Sequence, residues 1–411
     1  MSLTGSTKLH PLLVRAVAQA LHSIFQENRY ADKVIEHTLK QNPKAGSRDR
    51  AFIAETTYEI VRHYRLYCEV LGKTPRLEAD FWEIIGVHFV KSGISPPDWR
   101  EFKSLKTSDL KEKIQQFSQI RKFRESIPDW LDELGSRELG DLWDDTLAAL
   151  NRPAQVVLRT NRLKTDRITL QKTLQAQGIE TQPVGDEDAL LLSRRQNVFQ
   201  TQAFKEGLFE VQDFSSQQVA PFLAPEPGTR VVDACAGGGG KTLHLAALMQ
   251  NRGGLIALDT LAWKLDELRL RARRAGVFNI ETRPIENRKT IKRLYNSADY
   301  LLLDVPCSGL GVLRRNPDSK WKLTPEFIEN LRVVQQDILQ SYSPIVKTGG
   351  KMVYATCSVL PSENQEQVEK FLASEAGRDF KLLKERRILP QTEGFDGFYM
   401  ALLERKSNST E

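Results

Sequence analysis

The chain has 411 residues, 40% of them apolar, enough for two or three domain-sized cores and too many for a small stapled scaffold. Its four cysteines, Cys68, Cys235, Cys307 and Cys357, form no C-x-x-C pair, which argues against a disulfide framework or a zinc site and suits a reducing compartment. The net charge of +6 invites a nucleic-acid partner, and its placement is uneven: residues 1–150 carry 22 Lys+Arg against 22 Asp+Glu, leaving 37 against 31 for residues 151–411.

The opening segment "MSLTGSTKLHPLLVRAVAQAL" has no basic stretch feeding an apolar core, and no run of about 18 apolar residues occurs anywhere, so a cytoplasmic protein without a membrane partner is expected. Up to residue 150, stretches such as "PLLVRAVAQALHSIFQE" and "RDRAFIAETTYEIVRHYRLYCEVLG" repeat apolar residues at spacings of three and four. Pro11 stands at a helix start and Gly72 at a helix end, so residues 1–150 are predicted to be an all-α bundle. Residues 151–206 read as a small α/β module, with strands at "QVVLRT" and "ALLLS" around the helix "RITLQKTLQAQG".

In residues 207–411 the apolar runs "RVVDAC", "GLIALD", "ADYLLLDV" and "GGKMVYATC" alternate with helical stretches from Lys241, Trp263, Pro325 and Ser362. That alternation predicts a doubly wound, Rossmann-like α/β domain with a parallel sheet. Ligands of such sheets bind outside the carboxyl ends of the strands, where the notable residues of this chain fall. The basic helices "LRLRARRAG" and "NRKTIKRL" are either solvated faces or a phosphate-binding surface.

"VVDACAGGGGKT" sets four glycines between a strand and a helix, where bare backbone N–H groups can approach a ligand. A Walker A loop needs glycine where Cys235 stands, and a dinucleotide fingerprint needs glycine where Thr242 stands, so both fit poorly. Asp259 ends the next strand; it can cap a helix, but behind the glycine loop it suits the two hydroxyls of a ribose. A nucleoside joined to a charged amino-acid tail, such as S-adenosylmethionine, would use both features.

The segments "DACAGGGGKT", "LLLDVPCSGLGVLRRNPDSKWK" and "VYATCSVLPSENQEQVEKFL", in this order, resemble the Sun/Fmu-type RNA cytosine-5 methyltransferases, which include ribosomal RNA small-subunit methyltransferase B. The likeness runs from Arg159 to Arg405, and the N-terminal helices around "GSRDRAFIAETTYEIVR" resemble the NusB-like RNA-binding domain of several members. The resemblance implies a methyltransferase making 5-methylcytosine in ribosomal RNA, with tRNA or a non-catalytic assembly role as alternatives. It further implies S-adenosyl-L-methionine as cofactor, no metal, and a chain working as a monomer. Its chemistry needs sulfur, because a thiolate added to cytosine carbon 6 turns carbon 5 into a nucleophile for a methyl group.

From the residues alone either Cys307 or Cys357 could attack. The family assigns the attack to Cys357 and product release to Cys307, puts Asp304 on the cytosine ring, and has Lys241 orient the base or the methionine carboxylate. The implied cofactor site is Cys235, Ala236, Gly237, Gly238, Gly239, Gly240, Lys241, Asp259 and Asp304. Gly237-Gly238 replaces the usual Ala-Pro, a rigid turn exchanged for flexible residues. Ile285 or Glu286 is the positional substitute for a missing adenine-contacting aspartate. Arg314, Arg315, Lys320, Lys322 and Trp321 suit either phosphate contact with base stacking or a solvated loop.

Overall fold

In a computed structural model of the chain, residues 9–185 and 188–407 are described; the first eight residues of the opening segment read for a targeting signal lie outside them. Two units emerge, one of Met1–Arg152 with Leu313–Pro325, the other of Pro153–Val312 with Glu326–Glu411. No described helix is long and apolar enough to cross a membrane.

The first unit is helical, and its boundaries obey local chemistry. Pro11 opens the helix Pro11–Phe25, where its missing N–H costs nothing, and His10 caps it by accepting the Leu12 N–H at 3.3 Å. Gly72 ends the helix Tyr64–Leu71 at φ 68°, a left-handed conformation that suits glycine. Val14, Val17, Ala18 and Leu21 recur at helical spacing and are buried against Ile53, Tyr67, Phe81 and Phe89. Removing a side chain such as Leu21 from water contributes about 1.5–3 kcal/mol.

The segment "LRRNPDSKWK" departs from both of its readings, nucleic-acid contact and solvated loop, because Arg314, Lys320 and Trp321 belong to this helical unit's interior. Trp321 packs edge-on to Tyr64 and Phe25, with ring centroids 5.8 and 6.4 Å away, and donates its indole N–H to the Val61 carbonyl at 3.0 Å. Lys320 is 2% exposed and donates to the carbonyls of Arg62 (2.8 Å) and Glu125 (3.2 Å); burial pushes its ammonium well below the usual lysine range. Asp318 accepts the Ala31 N–H at 3.0 Å. Trp321 is thus taken up by aromatic packing, and the cations at 314 and 320 are buried.

The second unit holds two sheets. Strands β1 (Val157–Thr160), β2 (Thr181–Val184), β3 (Ala189–Leu192) and β4 (Phe209–Val211) form an antiparallel sheet in the order β2-β3-β1-β4. Its helix Arg167–Ala176 buries Leu170 and Leu174 among Leu158, Leu190 and Phe209. β4 therefore extends this module past residue 206.

The larger sheet comprises β5 (Arg230–Asp233), β6 (Gly254–Asp259), β7 (Ile280–Pro284), β8 (Ala298–Asp304), β9 (Val346–Thr356), β10 (Phe380–Ile388) and β11 (Phe398–Arg405), ordered β10-β11-β9-β8-β5-β6-β7. β5 to β9 pair in parallel, and their interiors, such as Val231-Val232 and Leu301-Leu302-Leu303, are buried as sheets covered on both faces require. The antiparallel hairpin β10–β11 closes one side and departs from the all-parallel expectation. Strand order reverses between β5 and β8, so the crevice at their carboxyl ends is the topological switch point where such folds bind ligands.

Candidate active site

A cavity of about 480 Å³ opens at that switch point. Cys235, Ala236, Gly237, Gly238, Gly240, Lys241, Asp259 and Asp304 line it, so the structure gathers most of the residues expected at the cofactor site. Gly239 is different. It begins the helix Gly240–Leu248 at φ 85°, and a Cβ there would stand 2.0 Å from Leu268 Cδ1, so this glycine serves close helix packing and does not line the cavity. Glu286 is exposed and also lies off the lining, whereas the N–H of Ile285 donates to the Asp259 carbonyl at 2.9 Å.

The glycine turn is held from both sides. Asp259 Oδ2 accepts the Gly237 N–H at 2.9 Å and its Oδ1 accepts the Leu261 N–H at 2.8 Å. Arg271 Nη1 donates to the Gly238 carbonyl at 2.6 Å, and Arg159 Nη1 donates to the Gly240 carbonyl at 2.6 Å. These anchors restrain the turn where a proline would have stiffened it. A Cβ on Gly237 would meet nothing within 4 Å, and one on Gly240 only Gln212 Nε2 at 3.7 Å, so the backbone faces open space.

Two arginines of "LRLRARRAG" are thereby committed inside the protein. Arg271 and Arg274 both bond the buried carboxylate of Glu210, which leaves a smaller basic face on this helix than its composition suggests. Glu210 and Gln212 lie in "EVQDFSSQ" and Arg271 in "LRLRARRAG"; the pairing of β1 with β4 sets Arg159 opposite Glu210, and the helix Ala262–Ala275 brings Arg271 to the same carboxylate.

Lys241 Nζ lies 2.6 Å from Asp304 Oδ2. Burial works to lower the Lys241 ammonium, but the Asp304 charge and hydrogen bond, together with the charges of Cys357 and Asp233, outweigh it and hold the group above its usual range. Beneath them Asp233 is 1% exposed, with Oδ2 accepting from Thr242 Oγ1 at 2.7 Å. Burial pushes its carboxyl up to about 7, against the lowering effect of the Thr242 bond and with a further push from Asp304.

For an acid raised on folding, the stabilisation is complete below the ordinary carboxylate value of 3.8 and is lost as pH rises through about 7. Asp233→Asn is therefore expected to gain on the wild type in thermal midpoint between pH 5 and pH 8. A pH-independent difference in calorimetric midpoints would refute this account.

The two remaining residues sit just beyond the strand ends. β8 passes Asp304 and Pro306 to Cys307, and β9 passes Thr356 to Cys357; the pairing Asp304 to Ala355 brings the turns side by side, with the sulfurs 3.3 Å apart. The bond with Cys357, then burial, then the charges of Cys357 and Glu363 push the Cys307 thiol well above its usual range. Among the described residues no group of three or more His, Cys, Asp or Glu could hold a metal ion.

The family model of the 16S rRNA methyltransferase RsmB/F matches residues 220–404, and a ferredoxin-like domain of the RsmF/B-like methyltransferases matches residues 127–199. The "Probable ribosomal RNA small subunit methyltransferase B" of Synechocystis sp. is 33% identical over 393 residues, covering 86% of this chain and 87% of its own. The chain belongs to the RsmB/F family of rRNA methyltransferases. The crystal structure of PH0851 shares the fold over 97% of this chain and 100% of its own, with a TM-score of 0.81 at 24% identity. A methyltransferase homolog protein from Pyrococcus horikoshii is 28% identical, with a TM-score of 0.62 over 69% of this chain and 97% of its own. The RsmB/F family uses S-adenosylmethionine and acts on RNA. The open glycine backbone, the acidic Asp259 and the size of the cavity fit that cofactor.

Proposed function

We propose that this RsmB/F family member methylates carbon 5 of a cytosine in small-subunit ribosomal RNA through a covalent bond from Cys357 to carbon 6. The observation that carries the reading is the pair of sulfurs, 3.3 Å apart at the ends of adjacent parallel strands, beside the Asp304–Lys241 pair. A binding role has no use for that arrangement.

The Cys357 thiolate adds to carbon 6 while Asp304 delivers a proton to the ring nitrogen, leaving an enamine whose carbon 5 is nucleophilic. S-adenosylmethionine supplies the methyl group. The ring nitrogen then returns its proton to Asp304, carbon 5 gives its proton to a water molecule, and the carbon–sulfur bond breaks to release the Cys357 thiolate, with Cys307 assisting this release. Lys241 holds Asp304 in place and orients the base. In the cofactor site, the backbone of Gly237, Gly238 and Gly240 faces the amino-acid end, with Cys235 and Ala236 beneath, and Asp259 takes the ribose. The helical unit, with its NusB-like sequence, is assigned to selecting the RNA.

Incubating the protein with small-subunit rRNA and labelled S-adenosylmethionine, then digesting to nucleosides, is expected to give labelled 5-methylcytidine. Label in another nucleoside would sink the reading. Asp259→Ala should weaken cofactor binding by about 1.5–3 kcal/mol, the range for a lost hydrogen bond to a charged group. It removes the ribose acceptor and one anchor of the Gly237 turn together. Unchanged affinity in titration calorimetry would move the ribose elsewhere.

A further inference from the structure

One buried carboxylate joins the two cysteine turns. Each cysteine is followed by a serine, and the hydroxyls of Ser308 and Ser358 both donate to Glu363 Oε2 at 2.5 Å. Glu363 Oε1 accepts the Ser308 N–H at 2.8 Å and the Gln335 side-chain amide at 3.0 Å, and that amide also donates to the Pro306 carbonyl at 3.0 Å. Each serine oxygen accepts the N–H two residues on, from Leu310 at 3.3 Å and Leu360 at 3.1 Å. Glu363 and Gln335 are 0% exposed.

Strand pairing cannot do this work. The β8–β9 ladder ends where the Val305 N–H meets the Ala355 carbonyl at 3.1 Å, and the next backbone link is from the Gly311 N–H to the Cys357 carbonyl at 2.9 Å. Between those links the turn Pro306–Leu310 meets its neighbour through the Glu363 network. Burying a carboxylate away from water is unfavourable unless donors surround it, and apolar side chains could fill the same space at no such cost. What apolar packing could not supply is a directional tie from both serines to one oxygen.

We propose that Glu363 is a positioning residue for the cysteine pair: by tying Ser308 and Ser358 to one oxygen, it sets the separation of the Cys307 and Cys357 sulfurs. The kinetic consequence rests on the proposed cysteine chemistry, whereas the geometric consequence stands apart from it. Glu363→Gln keeps the size of the side chain but puts an amide N–H₂ where two hydroxyl donors converge, so the turns separate.

The test uses the full chain. Diamide joins two nearby thiols in a disulfide and is itself reduced to the hydrazine, so its rate, followed by peptide mapping of the Cys307–Cys357 link, measures their approach. Glu363→Gln is expected to lose the link over the time in which the wild type forms it fully. Its kcat for methyl transfer should fall about a hundredfold, as for a displacement near 1 Å, with KM for S-adenosylmethionine unchanged. A merely structural role would lower the melting temperature without separating kcat from KM.

If Glu363→Gln does not fold, Ser358→Ala removes one arm of the network and is expected to show the same two effects. Wild-type linking in the folded variant overturns the proposal, as does an unchanged kcat in an enzyme whose Cys357→Ala form is inactive. If Cys357→Ala methylates normally, the cysteine chemistry fails, and the linking rates alone decide the role of Glu363.

Discussion

Cys307→Ala protein incubated with substrate RNA and S-adenosylmethionine is expected to give an RNA-linked band that survives denaturation, and Cys357→Ala protein to give none. The two sulfurs touch, but their surroundings differ. The Cys307 thiol is pushed well above its usual range by its bond with Cys357, by burial and by the Glu363 charge, so it keeps its proton at neutral pH. A thiol that keeps its proton is a poor nucleophile, and its help to a departing thiolate is then a hydrogen bond. With Cys357 as the attacking group of the proposed cycle, Cys307→Ala leaves attack and methyl transfer intact while the departing thiolate lacks its helper. Loss of turnover should exceed the 10²–10⁴-fold typical of one acid–base group, because the trapped enzyme cannot recycle. A stalled band from Cys357→Ala would exchange the two roles, and normal methylation by both variants would remove covalent catalysis.

Much of this site was legible before folding, for reasons that particular residues make plain. Asp233, Asp259, Asp304 and Thr356 each end an apolar run, and in a doubly wound sheet that alone sends them to one crevice. The 3.3 Å approach of Cys307 and Cys357 was not legible, since it depends on β8 and β9 being neighbours in register across a long connection. The supporting role of Arg159, Glu210 and Arg271 was not legible either: charged residues in a strand or on a helix face look the same whether solvated or buried in pairs.

Lys320 and Trp321 show the converse. A cation beside an aromatic suits a stacked base, yet the same pair suits a helical core that offers backbone carbonyls for the ammonium and rings for the indole, and burial decides. The hairpin β10–β11 escaped because "FKLLKERRI" is exposed along most of its length and lacks the unbroken apolar run of its neighbours.

Asp304→Asn is expected to lower kcat by about 10²–10⁴-fold, the span for removal of a general acid. Its carboxylate has two partners in the proposed cycle, the ring nitrogen of the cytosine and Lys241, and asparagine can neither donate the proton nor balance the ammonium. The second loss gives an independent signature. In the wild type burial pulls the Lys241 pKa down and Asp304, with Cys357 and Asp233, more than restores it, so the stabilisation from this lysine is present below its ordinary value of 10.5 and is lost only as pH rises through the higher folded value. Without Asp304 the opposing effect of burial prevails and the folded value falls beneath 10.5. Between that lowered value and 10.5 the unfolded chain binds the extra proton, so stability should rise as pH approaches 10 from pH 7, relative to the wild type. Thermal midpoints at the two pH values test this directly. A variant with wild-type kcat removes Asp304 from the chemistry, whereas a low kcat with a midpoint difference that ignores pH would leave the acid role intact and discard the Lys241 pairing as its electrostatic support.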